Sequence, residues 1–307
     1  MAEEEKKKDD KKDPLADFKF TGVKDDYIFF ETAKNATFDA IESIEAHYNH
    51  SSNNTNRIYT DFPCLEFDNG NLIVLAARPS IGKTSFLLSL SKQLAVDKGI
   101  PVGLINTGTI DSASLGKRLM ALDSGVPMYK IRSGMLKVID VKKIQESAKK
   151  LFGVPLYFKI EPNCSFNDFV LAAESMLEEK PIKLMIIDDF EYFEEIMDAD
   201  KEYYRFELEQ LMDSLKKFAV EHNIPIILGM TLPSDTEEPP ELLDFRKNLV
   251  IPYKADMVIF IHRDRIKEEV KVCNARLHIA KNVCGPCIDY SLKFYPATSL
   301  FKKEKED

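Results

Sequence analysis

The chain has 307 residues, a net charge of −9 and 44% hydrophobic residues, which is enough for one large domain or two smaller ones. No apolar run is long enough to span a membrane, and the five cysteines, an odd number in a long chain, argue against a disulfide framework. The negative net charge removes any global electrostatic argument for nucleic-acid binding, although local basic patches can still bind it.

Both ends of the chain are charged. Residues 1–34 are predicted to form a disordered tail and lead-in, because Met1–Pro14 mixes Glu, Lys and Asp and lacks the apolar region of a signal peptide. Residues 299–307 are predicted to form a second charged tail. We therefore expect a cytoplasmic protein with no membrane partner.

A linker helix followed by a polar linker is predicted over residues 35–56. The helix is indicated by apolar residues at steps of three and four, namely Phe38, Ile41, Ile44 and Tyr48, and the linker by the polar run His50–Asn56. The apolar face of this helix either packs on its own domain or docks on a neighbouring molecule, and the sequence leaves both interpretations open.

Residues 57–298 alternate short apolar strands with helical patterns. Strands are predicted at Leu72–Ala76, Val102–Asn106, Leu156–Ile160, Leu184–Ile187, Ile224–Gly229 and Met257–Ile261, and helices at Lys83–Asp97, Ser112–Asp123, Val138–Phe152, Phe166–Glu178 and Tyr203–His222. This alternation is typical of an α/β domain with a mostly parallel central sheet flanked by helices. Leu277–Lys281 and Ile288–Tyr295 then predict a C-terminal β-hairpin.

The segment Ala77–Thr84 follows the first strand of this domain, opens a helix and ends in Gly-Lys-Thr. This is the layout of a phosphate-binding P-loop, in which backbone N–H groups cradle phosphates, the lysine reaches the β- and γ-phosphates and the hydroxyl ligates Mg²⁺. Ala77 replaces the first glycine of the motif. The residues predicted to bind nucleotide are Arg78, Pro79, Ser80, Ile81, Gly82, Lys83, Thr84 and Ser85, with Thr84 also a Mg²⁺ ligand.

A second acidic element completes the predicted site. The apolar strand Leu184–Ile187 is followed by Asp188 and Asp189. An aspartate at the carboxyl end of such a strand holds Mg²⁺ in P-loop proteins, so Asp188 is predicted to bind the metal and ATP with Mg²⁺ is the expected ligand.

Several further segments resemble the DnaB-type replicative DNA helicases, a RecA-like group. These segments are LIVLAARPSIGKTSF, Ile131–Gly134 (family "IRTG"), LMIIDDFEYF, Asn223–Ile227 ("NVPV"), Ala255–Asp264 ("ADLIMFIYRD") and Lys281–Pro286 ("KQRNGP"). The resemblance covers Phe38 to Phe294 and does not include the family's N-terminal collar domain. It implies a RecA-like P-loop NTPase fold and adds Arg263 to the expected nucleotide-binding residues.

The same resemblance carries an expectation about assembly and function. The Phe38–Tyr48 helix is similar to the linker helix that docks on the adjacent subunit, which implies a homo-oligomeric, hexamer-like ring. The implied function is that of an ATP-binding replicative helicase homologue that unwinds DNA.

Three positions depart from the family pattern at residues that serve hydrolysis. Gly108 stands at or beside the glutamate of "SLEM" that polarises water, and losing a general base costs ~10²–10⁴-fold in rate. Thr231 replaces a glutamine of "SQLNR", and Val283 replaces the arginine finger of "KQR", whereas Lys281 is retained as a candidate contact to the neighbouring subunit. These departures predict impaired hydrolysis. The alternative is a catalytically inactive paralogue that acts as a nucleotide-binding assembly or interaction module.

Asp189 has two interpretations. It directly follows Asp188, where other P-loop groups carry the base, so it is a candidate substitute for the missing glutamate. The other interpretation is a solvated carboxylate at a strand end, and from the sequence alone we favour this second interpretation.

The segments expected to face DNA are acidic. Residues 188–209 contain ten acidic and two basic residues, and residues 234–244 contain five acidic residues and no basic one. DNA affinity comes largely from Lys and Arg, so this composition counts against ordinary DNA translocation unless these segments lie away from the channel.

Two cysteine patterns are set aside. Cys284–Cys287 spells Cys-Gly-Pro-Cys, but it is predicted in a hairpin turn rather than at the helix N-terminus that redox chemistry needs. A zinc site built from Cys273, His278, Cys284 and Cys287 would match no standard spacing.

Overall fold

The computed structural model describes residues 32–48, 57–62, 65–197, 203–233, 236–264 and 270–304. The predicted tail up to residue 31 and the polar linker His50–Asn56 lie outside these residues. The chain divides into two units, one ending at Thr55 and one beginning at Asn56. In the described part of the first unit, helix α1 (Ala33–Tyr48) covers the predicted amphipathic segment and starts four residues before Thr37.

The second unit carries the remaining elements. Its strands are β1 (Arg57–Tyr59), β2 (Glu66–Asp68), β3 (Leu72–Ala77), β4 (Val102–Asn106), β5 (Leu156–Ile160), β6 (Leu184–Asp188), β7 (Ile226–Thr231), β8 (Met257–His262), β9 (Cys273–Asn282), β10 (Asp289–Tyr295) and β11 (Leu300–Lys303). Its helices are α2 (Lys83–Ser91, continued by a π-helical segment Lys92–Asp97), α3 (Ser112–Ser124), α4 (Met128–Ser133), α5 (Val138–Leu151), α6 (Phe166–Glu179), α7 (Glu194–Met197), α8 (Tyr204–Glu221) and α9 (Val250–Lys254). Short 3-10 segments lie at Phe190–Tyr192 and Leu242–Asn248.

Nine strands form one sheet in the order β5-β4-β6-β7-β3-β8-β9-β10-β11, and β1 pairs with β2 separately. The six strands from β5 to β8 are parallel, and β9, β10 and β11 continue the sheet in antiparallel order. The predicted α/β fold with a mostly parallel sheet and a C-terminal hairpin is confirmed, with one additional strand after the hairpin.

Two apolar layers cover the faces of this sheet. One contains side chains of α2, α3 and β11, including Phe86, Leu119 and Phe301. The other contains side chains of α6 and α8, including Phe169 and Leu215. Every residue of β3 and β6 is buried, as expected for parallel strands covered on both sides.

The C-terminal boundary differs from the one expected. Leu300–Lys303, assigned above to a charged tail, is the edge strand β11 paired with β10. Phe301 is only 2% exposed, and its ring lies 5.7 Å from that of Phe86 and 4.5 Å from that of Phe294. Burial of this aromatic ring orders a strand whose other residues are partly charged.

The carboxyl ends of four adjacent strands meet at one edge of the sheet. β3 leads into the Gly-Lys-Thr loop, β7 ends at Thr231, β6 ends at Asp188 and β4 ends at Asn106. Open α/β sheets bind ligands at this edge. No helix within the described residues has the length and apolar character needed to cross a membrane.

Replacing Phe301 by Ala is expected to lower the free energy of unfolding by about 3–5 kcal/mol, because the ring fills a gap between two buried aromatic side chains. Chemical denaturation of the two proteins measures this change. Lys303→Ala, on an exposed position of the same strand, is the control and is expected to change stability by less than about 0.5 kcal/mol. A similar small effect of both substitutions would contradict the assignment of this segment to the core.

Candidate functional site

The loop between β3 and α2 has the shape of an anion-binding turn. Ser80 (φ 65°) and Gly82 (φ 115°) adopt left-handed backbone conformations, and no side chain caps the start of α2 at Gly82. A Cβ at residue 82 would lie 3.1 Å from the ring of Phe301, so glycine is favoured there for space as well as for conformation. The N–H groups at the start of α2 can therefore bind phosphate oxygens.

Arg263 holds this loop from the side of β8. Its guanidinium donates to the carbonyls of Ile81 at 2.8 Å and Ser80 at 2.7 Å, and it stacks over the ring of Phe294 at 4.8 Å. Desolvation lowers the pKa of Arg263 from its usual value, although an arginine keeps its charge at neutral pH. Contact of Arg263 with nucleotide stays a prediction. In the structure, Arg263 positions the loop between β3 and α2.

Arg78 ties the same loop to the acidic segment after β7. Its buried guanidinium donates to the carbonyl of Pro233 at 2.7 Å, the carbonyl of Glu238 at 3.0 Å and the carboxylate of Asp244 at 2.9 Å. Contact of Arg78 with nucleotide stays a prediction, and in the structure Arg78 connects the two loops and pairs with Asp244.

Lys83 lies among three carboxylates. Its side chain is 8% exposed, and Nζ lies 2.5 Å from Asp189 Oδ1, 3.3 Å from Asp188 Oδ1 and 3.6 Å from Glu191 Oε1. Burial lowers the pKa of Lys83, but the carboxylates of Asp188, Glu191 and Asp189 outweigh that effect, so the net pKa lies above its usual value. The ammonium therefore stays charged at neutral pH.

Asp188 and Thr84 supply ligands suited to Mg²⁺. The side chain of Asp188 is buried, and Thr84 is one of its hydrogen-bond partners. Burial raises the pKa of Asp188, and the Lys83 ammonium opposes that rise. Mg²⁺ typically binds one or two carboxylates and completes its shell with phosphates and water.

The buried side-chain amide of Asn106, beside Asp188, is also suited to a cation site. Asn106 is fully buried, and its Nδ2 faces Asp188 Oδ2 at 3.4 Å, while its Oδ1 has no hydrogen-bond partner among the described residues. Three carboxylates surround one ammonium here, and a divalent cation would offset the excess negative charge. Asn106 was not predicted from the sequence, although a polar residue at the end of the apolar strand β4 is a usable signal.

The side chain of Asp189 occupies the space beside Gly108, one of the positions that depart from the expected family pattern. Asp189 adopts a left-handed backbone conformation (φ 65°), and its carbonyl accepts from Thr107 Oγ1 at 2.6 Å. A Cβ on Gly108 would lie 2.3 Å from Asp189 Oδ2. The Asp189 side chain is 17% exposed and bonded to Lys83, so it is not the solvated carboxylate that the sequence favoured.

The neighbouring position Thr231 is held by Glu191. The backbone N–H of Thr231 donates to Glu191 Oε2 at 3.2 Å, while Glu191 Oε1 faces Lys83. Glu191 therefore connects the ends of β6 and β7.

Lys281 and the cysteine turn lie elsewhere. Lys281 Nζ donates to the carbonyls of Pro252, Tyr253 and Ala255 at 3.1, 2.7 and 2.6 Å, at the end of α9. A contact from Lys281 to a neighbouring subunit, which stays a prediction, would have to replace these bonds. Cys284–Cys287 lies in the β9–β10 connection, and no group of three or more His, Cys, Asp or Glu suited to a metal occurs among the described residues.

The sheet order and the loop after β3 define a RecA-like P-loop ATPase fold. The profile of the DnaB-like helicase C-terminal domain matches residues 60–303, and the chain belongs to this family. The family resemblance noted from the sequence is thereby confirmed.

Individual relatives agree with this assignment. The chain is 30% identical over 280 residues to the replicative DNA helicase DnaB of Treponema pallidum (strain Nichols), covering 89% of this chain and 61% of that protein. It is 25% identical over 295 residues to a probable plasmid replicative DNA helicase of Chlamydia psittaci, covering 91% and 64%. The chain thus spans about three-fifths of the length of these relatives.

Solved structures support the fold. One solved ATPase domain superposes with a TM-score of 0.72 at 21% identity, covering 87% of this chain and 98% of that domain. A DnaB-like replicative helicase, solved in a study of its interactions with primase, superposes with a TM-score of 0.68 at 22% identity, covering 77% and 58%.

Replacing Arg78 by Met is expected to lower the free energy of unfolding by about 2–3 kcal/mol, because it leaves the carboxylate of Asp244 and two carbonyls without their charged donor. Chemical denaturation measures the change. Arg132→Met, at an exposed position of α4, is the matched control. Equal, small effects of both substitutions would show that the loop contact adds no stability.

Proposed function

We propose that this chain is an ATP-binding, DnaB-like motor domain that binds ATP with Mg²⁺ and hydrolyses it slowly. The observation that carries this proposal is the buried ammonium of Lys83 beside Asp188, at the start of a helix whose first N–H groups are uncapped. Lys83 would bind the β- and γ-phosphates, and Thr84 and Asp188 would hold the metal.

The proposal of slow hydrolysis rests on Gly108, Thr231 and Val283. Glycine carries no base, and Val283 is an exposed aliphatic side chain that cannot stabilise charge on a transferring phosphoryl group. Arginine fingers contribute ~10³–10⁵-fold in other NTPases. These same residues favour the second candidate function, an inactive paralogue that uses bound nucleotide for assembly.

DNA is the proposed polymer substrate, because the chain belongs to the DnaB-like helicase family and its relatives are named as replicative DNA helicases. The acidic composition of residues 188–209 and 234–244 argues less strongly against DNA binding than the sequence alone suggested. Asp188, Asp189 and Glu191 surround Lys83, and Asp244 pairs with Arg78. Carboxylates already paired within the protein contribute less repulsion to a phosphate backbone.

A homo-oligomeric ring is proposed through α1 of a second copy. Ile44, on the apolar side of α1, is 58% exposed. A complementary apolar surface is offered by α4, α5 and their connection, where the exposed large side chains are Tyr129, Met135, Val138 and Ile139. Exposed apolar residues clustered in this way mark interaction surfaces.

The wild-type protein is expected to bind ATP in a Mg²⁺-dependent manner, and Lys83→Ala is expected to weaken binding by about 10–100-fold, because the phosphates lose a charged donor. Calorimetric titration measures affinity, and phosphate release with and without single-stranded DNA measures turnover. Lys117→Ala, at an exposed position of α3, is the control. DNA-stimulated hydrolysis that Lys83→Ala abolishes would exclude the inactive paralogue, whereas unchanged ATP affinity in Lys83→Ala would contradict the proposed site.

Ring formation is expected to depend on the apolar face of α1. Light scattering should find the wild-type protein as an oligomer, at least when ATP is present. The Ile44→Glu variant should be a monomer, because a carboxylate cannot be buried in an apolar contact without a partner. Glu42→Gln, at an exposed position of the same helix, should leave the mass unchanged. A wild-type monomer under both conditions would contradict the ring.

A further inference from the structure

The ends of β4 and β6 share one small space, and a single carboxylate fills it. The family resemblance implies a glutamate at or beside position 108, at the end of β4, whereas this chain carries Gly108 and places the carboxylate of Asp189 there from the end of β6. We propose that Asp189 is the general base of the slow ATP hydrolysis proposed above, so that Asp189 compensates in part for Gly108 while Thr231 and Val283 still limit the rate. This inference rests on the proposed ATP-binding function.

Steric exclusion is the first argument. A Cβ on Gly108 would lie 2.3 Å from Asp189 Oδ2, 3.1 Å from its Cγ and 3.3 Å from its Cβ. Any larger side chain at residue 108 would therefore require Asp189 to move. A glutamate at residue 108 and the observed position of the Asp189 side chain therefore exclude one another.

The backbone of Asp189 is held in the conformation that aims the side chain into this space. Its φ of 65° is uncommon for a residue other than glycine. Two contacts support the turn: Thr107 Oγ1 donates to the carbonyl of Asp189 at 2.6 Å, and the N–H of Thr107 donates to the carbonyl of Asp188 at 3.1 Å. Local strain that is held in this way occurs often at functional sites.

The position of Asp189 relative to Lys83 is the second argument. Asp189 Oδ1 lies 2.5 Å from the Lys83 ammonium, which in P-loop proteins reaches the β- and γ-phosphates. A γ-phosphate bound at Lys83 would compete with Asp189 for the ammonium. The displaced carboxylate would then be free to accept a hydrogen bond from a water molecule beside the phosphate.

The two nearby carboxylates have other partners. Asp188 is fully buried, faces Asn106 and is the proposed metal ligand. Glu191 Oε2 accepts the backbone N–H of Thr231 at 3.2 Å. Asp189 Oδ2 faces Gly108 and lies 3.5 Å from Asn106 Nδ2, so Asp189 is the carboxylate best placed to orient water.

The oxygen of a water molecule forms a bond to the γ-phosphorus, and the bond between that phosphorus and the β–γ bridging oxygen breaks, with its electron pair remaining on ADP. One proton of the water passes to the Asp189 carboxylate and from there to solvent. The products are ADP and inorganic phosphate.

The test is a substitution cycle on the full chain. Asp189→Asn keeps the size of the side chain and removes the base, so single-turnover hydrolysis should fall ~10²–10⁴-fold while ATP affinity stays equal or rises. Gly108→Glu alone should lower the thermal midpoint by about 2–4 °C, because Asp189 must leave its contact with Lys83 to make room. The double variant Gly108→Glu with Asp189→Gly should recover that stability and hydrolyse ATP at least ~10-fold faster than Asp189→Gly alone.

Gly116→Glu is the matched control, because a Cβ at this helical glycine meets nothing within 4 Å. It should leave both the thermal midpoint and hydrolysis close to wild type. Asp189→Asn that binds ATP and hydrolyses it within threefold of wild type would overturn the inference and leave the proposed function intact. ATP binding without any wild-type hydrolysis would overturn it too, as would additive midpoint changes in the cycle. A wild-type protein that binds no ATP would overturn both the inference and the proposed function.

Discussion

The burial of one ammonium among three carboxylates is the interaction on which the site depends. Lys83 comes from the start of α2, and Asp188, Asp189 and Glu191 come from the end of β6. A buried charge without partners is very costly, so the P-loop and the end of β6 stabilise one another through this cluster. The excess negative charge that remains is also what a divalent cation would offset, which links the stability of the site to its proposed ligand.

The loop that presents Lys83 is supported from three sides. Phe301 fills the space under Gly82, Arg263 binds the carbonyls of Ser80 and Ile81, and Arg78 connects the loop to the segment around Asp244. These supports come from β11, β8 and the connection after β7, which are distant in sequence. The antiparallel end of the sheet therefore contributes directly to the shape of the phosphate-binding loop.

The sequence predicted the fold well because the parallel strands are short, apolar and separated by amphipathic helices, as in Leu184–Asp188 followed by Tyr204–Glu221. The prediction of secondary structure was wrong where the burial of a single side chain outweighs the local composition. Phe301 orders a strand among charged neighbours, and no local pattern marks that burial. Prediction of the site was limited in a similar way. Lys83, Thr84 and Asp188 lie in recognisable motifs. The contacts of Asp189 with Gly108 and of Asp188 with Asn106 could not be predicted, because they join two strand ends that are far apart in the sequence.

The central claim is that a triphosphate at Lys83 releases the carboxylate of Asp189 to act on the attacking water. A crystal structure of the protein with Mg²⁺, ADP and aluminium fluoride, which mimics the transferring phosphoryl group, tests this claim most directly. We expect Asp189 to leave Lys83 and to accept a hydrogen bond from the apical water at about 2.6–3.2 Å. Asp189 still bonded to Lys83, with the water held by Glu191 or by no carboxylate, would contradict it.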